Sequence, residues 1–306
     1  MKLREKSKVY LILVLTIVGL CISASEIFAL SNRTLHEKYF KVVPGQQIKI
    51  ETDMGDIKVF TWDKNEVYIK ITGNKKAKDK IYFEFDQNET GVYVHAEKEG
   101  SSWFNWFGGI ELKYEIKVPE KFNAYLNTSG GDISLFDLNG KAELKTSGGD
   151  VTALNCGGDM LLKTSGGDIK VENHQGNIDM YTSGGDIDTK NVKGNLESQT
   201  SGGDIKLDVK DGTVYASTSG GDVTLRYSGE NMGIKLKTSG GDIRMYVPGS
   251  FGGDADLKTT GGDIRVDLPN TKVQNVSKSK WQGELNNGGK YIECRTSGGD
   301  ITIKQK

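Results

Sequence analysis

The chain has 306 residues, 36% of them hydrophobic and 8% aromatic, with 40 glycines and only 4 prolines. That is enough apolar material for a long, thin core. Lys plus Arg number 40 against 41 Asp plus Glu, interspersed to a net charge of -1, which excludes nucleic acid as an expected partner and steering by bulk charge.

At the N-terminus, Lys2, Arg4, Lys6 and Lys8 precede an uncharged apolar run of 16 residues, 9–24. Residues 1–29 are therefore a signal peptide or an N-terminal membrane anchor. Ser23 and Ser25, or Ile27 and Ala29, suit a signal peptidase, and the run is short against the ~20 residues a span needs, so cleavage is favoured over an uncleaved anchor. Cys21 does not make a lipidation site, because Leu20 stands where a small residue is needed. The protein is expected outside the cytoplasm, secreted or at the cell surface.

Residues 30–127 are β-rich but irregular, with strands expected at 47–51, 56–62, 66–72, 81–84, 91–97 and 110–118. They are expected to form the first, degenerate part of one stack, and 75–80 a solvated charged loop. Trp103, Phe104, Trp106 and Phe107 crowd into a short stretch bounded by Ser101, Ser102, Gly108 and Gly109. Four aromatics so close together cannot all enter one thin core. They either cap the open end of the stack or face a membrane surface, a protein partner or a sugar ring.

The most informative segment, 128–306, follows. Thr-Ser-Gly-Gly-Asp starts at Thr128, Thr146, Thr164, Thr182, Thr200, Thr218, Thr238 and Thr296, with the first six copies 18 residues apart. Thr259 opens a variant, Thr-Thr-Gly-Gly-Asp, and Thr52 to Ile57 read as a worn one. A weaker turn recurs about half-way along each unit, at Gly157-Gly158-Asp159, Gly176-Asn177, Gly194-Asn195 and Gly212-Thr213. Each unit therefore holds two short strands and two turns, and the alternation in Ile187, Thr189 and Val192, then Leu196 and Ser198, gives each strand one buried face. A meander and a solenoid both turn at this interval. The solenoid is favoured because identity recurs at eighteen residues far more faithfully than at nine, as when each residue touches its own copy in the next coil. The predicted fold is all-β, a single-stranded β-solenoid or β-helix-like stack of 18-residue coils with two short strands per coil. Its interior ladder runs through Ile133, Val151, Ile169, Ile187, Ile205, Val223, Ile243, Ile264 and Ile301. Residues 270–289 read as a polar loop excursion, and 291–304 as the rung that closes the stack.

Chemically, the glycine pair suits a tight corner, by entering left-handed backbone space and by leaving no side chain to strike the next coil. Asp132, Asp150, Asp168, Asp186, Asp204, Asp222, Asp242, Asp263 and Asp300 are expected to accept hydrogen bonds from turn amides. Stacked carboxylates repel, and calcium would relieve that, but calcium takes six to eight oxygens and its known nonapeptide repeat has another glycine pattern. Turn amides, with Lys145, Lys163, Lys237 and Lys258, are the simpler compensation. Cys156 and Cys294 are expected free, each packed in a wall, and His36, His95 and His174 are dispersed without metal-ligand spacing. No metal or cofactor is implied. Ser129 and its copies lack a histidine partner, and neither a nucleophile elbow nor a phosphate loop is present, so no catalytic residue is assigned. The alternative is a carbohydrate-active enzyme, a lyase or hydrolase, with wall carboxylates as acid and base.

The succession Asp56-Ile57-Lys58-Val59, Tyr114-Glu115-Ile116-Lys117-Val118-Pro119 and serial Thr-Ser-Gly-Gly-Asp-Ile turns resembles the bacterial "putative adhesin", or toast-rack, family over about residues 40–304. The resemblance implies an extracytoplasmic β stack, adhesin-like or linked to cell-envelope stress signalling. The expected partner is an envelope protein, glycan or membrane surface, and the resemblance carries over no catalytic residue.

Overall fold

The computed structural model describes residues 33–98 and 109–306. The leader or anchor assigned to 1–29 and the aromatic cluster of Trp103, Phe104, Trp106 and Phe107 lie outside the described residues.

Parallel strands eighteen residues apart stack into two sheets facing each other across a narrow core. Among the described residues the sheets hold 13 and 14 strands. In the first, Val151–Leu154 pairs in parallel with Ile133–Phe136 on one side and Ile169–Gln175 on the other. In the second, Met160–Lys163 pairs with Ala142–Lys145 and Ile178–Tyr181. The chain is thus a solenoid and not a meander. Register follows the repeat, Ile133 opposite Val151, Val151 opposite Ile169 and Ile169 opposite Ile187, so the expected interior ladder exists and is fully buried over these coils. Alternation does the rest. In Ile187–Lys193, Ile187 and Thr189 point inward while Asp188 and Lys190 face water. A single coil cannot cover its own apolar face, and stacking removes that exposure, which is why the repeat is stable only in series.

Both ends depart from sequence order in the same way. At the C-terminal end, Tyr291–Arg295 and Ile301–Gln305 lie between the coil of Ile234–Lys237 and Ile243–Val247 and that of Gly253–Lys258 and Ile264–Asp267. The last rung in sequence is therefore inserted, and the coil carrying the Thr259 variant is outermost in the first sheet. Ile264 on that outer coil is only partly buried. At the N-terminal end, Gly91–Lys98 and Leu112–Pro119 insert between the coil of Gln47–Thr52 and Asp56–Trp62 and the outer strands Ile81–Asn88 and Glu66–Gly73.

Antiparallel strands finish the ends. Arg33–Lys41, a strand absent from the sequence reading, pairs with Glu66–Gly73. The segment 270–289 forms a hairpin of Thr271–Ser277 and Lys280–Leu285 laid against Gly253–Lys258, with Trp281 buried beneath it. Its polarity belongs to an edge, where only one face is covered. Lys75–Lys80, expected as a loop, is one short helix. Asn74 caps it, accepting from the Ala77 N–H at 3.0 Å, and Ala77 is buried.

Candidate functional site

The Thr-Ser-Gly-Gly-Asp corner is a set of bonds between coils. Thr164 Oγ1 donates to the Gly149 carbonyl of the previous coil at 2.8 Å and accepts from the Gly167 N–H at 3.2 Å. The Asp168 N–H donates to Asp150 Oδ1 at 2.8 Å. Thr182, Gly185 and Asp186 repeat the pattern, as do Thr200, Gly203 and Asp204. Thr296 and Asp300 do so toward Gly241 and Asp242, and Thr259 and Asp263 toward Gly299 and Asp300, which fixes the spatial order of the last coils.

Of the two reasons the sequence offered for the glycine pair, left-handed backbone and close approach to the next coil, the structure keeps the second. None of the glycines in the Thr-Ser-Gly-Gly-Asp copies or in the Thr259 variant has a left-handed φ. A Cβ on the second glycine of each pair, Gly167 for example, would overlap the carbonyl oxygen of the corresponding glycine one coil back, Gly149. Close approach between coils is what demands glycine here. Left-handed backbone occurs instead at the other corner, at Asp137, Asn155, Asn173 and Asn191, with φ between 54° and 61°. Asn and Asp tolerate that conformation.

Those asparagines form a ladder the sequence reading missed. Asn155 Nδ2 donates to Asp137 Oδ1 at 3.0 Å, Asn173 to Asn155 at 2.9 Å and Asn191 to Asn173 at 2.8 Å. A second ladder links Asn177 to Asp159 and Asn195 to Asn177, at 2.9 and 3.0 Å. The signal was present as Asp or Asn recurring at eighteen residues, masked by the louder glycine motif.

Charge on the stacked aspartates is offset locally. Arg244 reaches Asp222 Oδ2 and Asp242 Oδ2, both at 2.6 Å. Burial would raise the Asp222 carboxyl, but the Asp242 N–H and then the Arg244 guanidinium outweigh it and hold it below the usual carboxylate range. Two of the lysines expected to do this are engaged on the other sheet: Lys145 with Glu143, and Lys163 over the Tyr181 ring at 4.8 Å. They end second-sheet strands, whereas the aspartates precede first-sheet strands. No group of three or more His, Cys, Asp or Glu side chains converges as a metal site among the described residues.

One surface groove and one interior side chain stand outside this bonding. On the outer face of the second sheet, Asp179, Glu197, Tyr215, Lys235 and Glu293 occupy one column on successive strands. With Tyr291 they line an open groove of about 610 Å³. Glu197 accepts from Tyr181 Oη at 2.9 Å, and Lys235 pairs with Glu293 at 3.2 Å. Burial, then the Glu197 charge, raises the Asp179 carboxyl. Inside the second corner, His174 stands opposite Val192 in an interior column one coil after Cys156, and is 2% exposed. Cys156 and Cys294 are free and buried, with burial pushing their thiols up to about 11 and about 12. His36 packs against Phe83 and Phe85 near the N-terminal end, and His95 lies by Glu97.

The family model described as Toastrack DUF4097 matches residues 45–304. No curated protein matches the chain. Among solved structures, one described as a "putative adhesin" from Parabacteroides distasonis is 13% identical, covering 89% of this chain and 96% of its own, with a TM-score of 0.49. Another described as a "putative adhesin", from Bacteroides fragilis, is 16% identical, covering 89% and 96%, with a TM-score of 0.40. A third, described as a "putative lipid binding protein" from Parabacteroides distasonis, is 14% identical, covering 88% and 96%, with a TM-score of 0.37.

Proposed function

The chain belongs to the Toastrack DUF4097 family, and from that premise we propose that it is a non-catalytic binding or scaffold protein of the bacterial cell envelope, adhesin-like and working outside the cytoplasm. The observation that carries this reading is the use made of the repeated polar groups. Along the regular coils the threonine hydroxyl and one carboxylate oxygen of each aspartate are bound to a neighbouring coil, so the residues that dominate the sequence serve geometry. What remains for a partner is the outer surface, long, rigid and repetitive, which suits holding an extended ligand better than enclosing a reaction.

Within this reading, residues 1–29 deliver or tether the chain, 30–127 begin the stack and 128–306 supply its regular length. Trp103, Phe104, Trp106 and Phe107 contact an envelope partner or membrane surface, and the binding signal passes to envelope-stress regulation. Cell fractionation with mass spectrometry of the mature N-terminus tests the location; recovery of the protein in the cytosol with an intact leader overturns it. Quenching of tryptophan fluorescence in the presence of lipid vesicles tests the aromatic contact, and quenching unchanged by vesicles removes it.

One observation favours the carbohydrate-active alternative: Asp179 and Glu197 are carboxylates on adjacent strands of a groove that also holds Tyr215 and Tyr291, and burial, then the Glu197 charge, raises the Asp179 carboxyl above its ordinary value. Release of reducing ends from cell-wall polysaccharide, abolished in Asp179→Asn and Glu197→Gln, would establish that alternative in place of the binding reading.

A further inference from the structure

His174 is the anomaly in an otherwise consistent interior. The column it occupies runs through Cys156, then His174, Val192, Val209 and Tyr227 on successive coils. Every one of these side chains is buried. Neither ring nitrogen of His174 has a hydrogen-bond partner, although buried polar groups almost always find one. The neutral ring is tolerated there as an apolar plate. The imidazolium would be a charge taken out of water, a state more costly than an unsatisfied neutral group.

The surroundings decide what protonation would do. The titratable and charged groups near the ring are the Cys156 thiol one coil back and the Asp159 carboxylate, with Glu120, Asp137 and Lys193 along the groove that runs over this corner. Asp159 and backbone groups of Asn177, Cys156 and Gly158 favour the charged form, yet burial outweighs them and the net effect is a lowered pKa. Beside its ties, which are the Asn155–Asn173–Asn191 ladder and the main-chain bonds from the Gln175 N–H to Cys156 O at 3.1 Å and from the Gly176 N–H to Lys193 O at 2.9 Å, the corner carries local irregularities. His174 lies between two left-handed residues, Asn173 and Gly176. The following coil places Thr189 and Ser198 inside, Ser198 Oγ is without a partner, and the sheet register slips between Asp188 and Val192. A segment that buries polar groups beside a register irregularity is among the first to open.

We propose that His174 is an acid-operated latch: protonation expels the ring from the core through the corner groove and opens the coil corner around 172–177, leaving the rest of the solenoid stacked. The direction of the linkage follows from the geometry. The closed corner holds the ring neutral, and the open corner exposes an ordinary imidazole with a pKa of about 6.5. The open form therefore binds more protons in this range, and the closed corner is fully stable above about pH 6.5 and loses stability as pH falls below it. This inference is independent of what the outer surface binds, and gives an envelope protein a structural response to acidification.

The fold supplies its own control substitutions, because Val192 and Leu138 stand at equivalent corner positions in other coils. Hydrogen exchange of the full chain, corrected for the intrinsic pH dependence of exchange, is measured from about pH 7.5 to about pH 5 for wild type, His174→Val and His174→Leu. The expected result is a loss of protection over 172–177 that steepens toward tenfold per pH unit below about pH 6.5 in wild type and is absent from either variant that folds. An equal pH response in wild type and a folded variant overturns the proposal, as does protection at 172–177 that is unchanged across the range. Should neither variant fold, NMR titration of the wild-type imidazole decides: protonation coupled to corner opening supports the latch, and protonation within a closed corner overturns it.

Discussion

The carboxylate of Asp150 accepts the main-chain N–H of Asp168, one coil on, at 2.8 Å, and Asp168 accepts that of Asp186 at the same distance. Each aspartate is therefore both acceptor for the next coil and, through its own N–H, donor to the one before. Bonds of this kind do not compete with the strands for backbone partners, since they use an amide in the corner that the sheets leave free. They turn a row of like charges into a row of ties, and the carboxylate is needed for its oxygen more than for its charge.

Asp168→Asn is accordingly expected to be nearly neutral, because the amide keeps Oδ1 as an acceptor and removes one of the stacked charges. Asp168→Ala loses the acceptor in an exposed setting and should cost about 1 kcal/mol. Urea denaturation of both variants separates the two accounts. Equal destabilisation would show that the charge itself matters.

The two glycines of one corner should differ sharply. A Cβ at Gly166 meets Gly148 O at 3.6 Å, an ordinary contact, whereas one at Gly167 overlaps Gly149 O. Gly167→Ala is expected to destabilise by about 3 kcal/mol or more, since backbone of the preceding coil must move, and Gly166→Ala by a fraction of that. Thermal unfolding of the pair is the check.

Thr182 is buried, donates to Gly167 O at 2.9 Å and accepts from the Gly185 N–H at 3.3 Å. Thr182→Val keeps the shape and strands both backbone groups, at a cost of about 1–3 kcal/mol. Thr182→Ser keeps the hydroxyl and should recover most of that loss.

The two buried thiols make a pH prediction. Burial raises Cys156 to about 11 and Cys294 to about 12 from an ordinary value of 9.0. A raised thiol pKa means the folded state holds the proton longer than the unfolded state. The stabilisation is complete below pH ~9 and is lost as pH rises from there toward the folded values. Alkylation by iodoacetamide near neutral pH should be slow in the native protein and fast in denaturant. Rapid native labelling of either cysteine would contradict its burial.

Much of the fold was legible in particular residues. Ile133, Val151, Ile169 and Ile187 occupy one interior ladder because residues eighteen apart are in contact, and a contact that repeats forces its residue to repeat. Legibility fell where contacts stopped being periodic. Asn74 and Ala77 make a cap and a buried helical contact that no repeat announces, and Arg33–Lys41 shows little apolar alternation because it is an edge strand exposed over much of its length. Of the candidate sites, the aspartate ladder could be read from spacing. The asparagine ladders could have been, and the groove of Asp179, Glu197, Tyr215 and Tyr291 could not, since its members are unalike and come together only across four or more coils.

The amino-acid sequence by itself determined the coil, because an eighteen-residue period with glycine at one corner and alternating apolar residues between admits one regular stacking. Only the tertiary structure decided the order of the coils at the two ends. The corners at Thr259 and Thr296 present nearly the same bonding groups, so local chemistry does not choose which stacks on Thr238; the hairpin 271–285, which must cover the outer coil, settles it by placing Tyr291–Arg295 inside. Distance between coils, and not backbone dihedral, likewise decided why the glycines are there, and only packing revealed that His174 stands where its neighbouring coils place cysteine and valine.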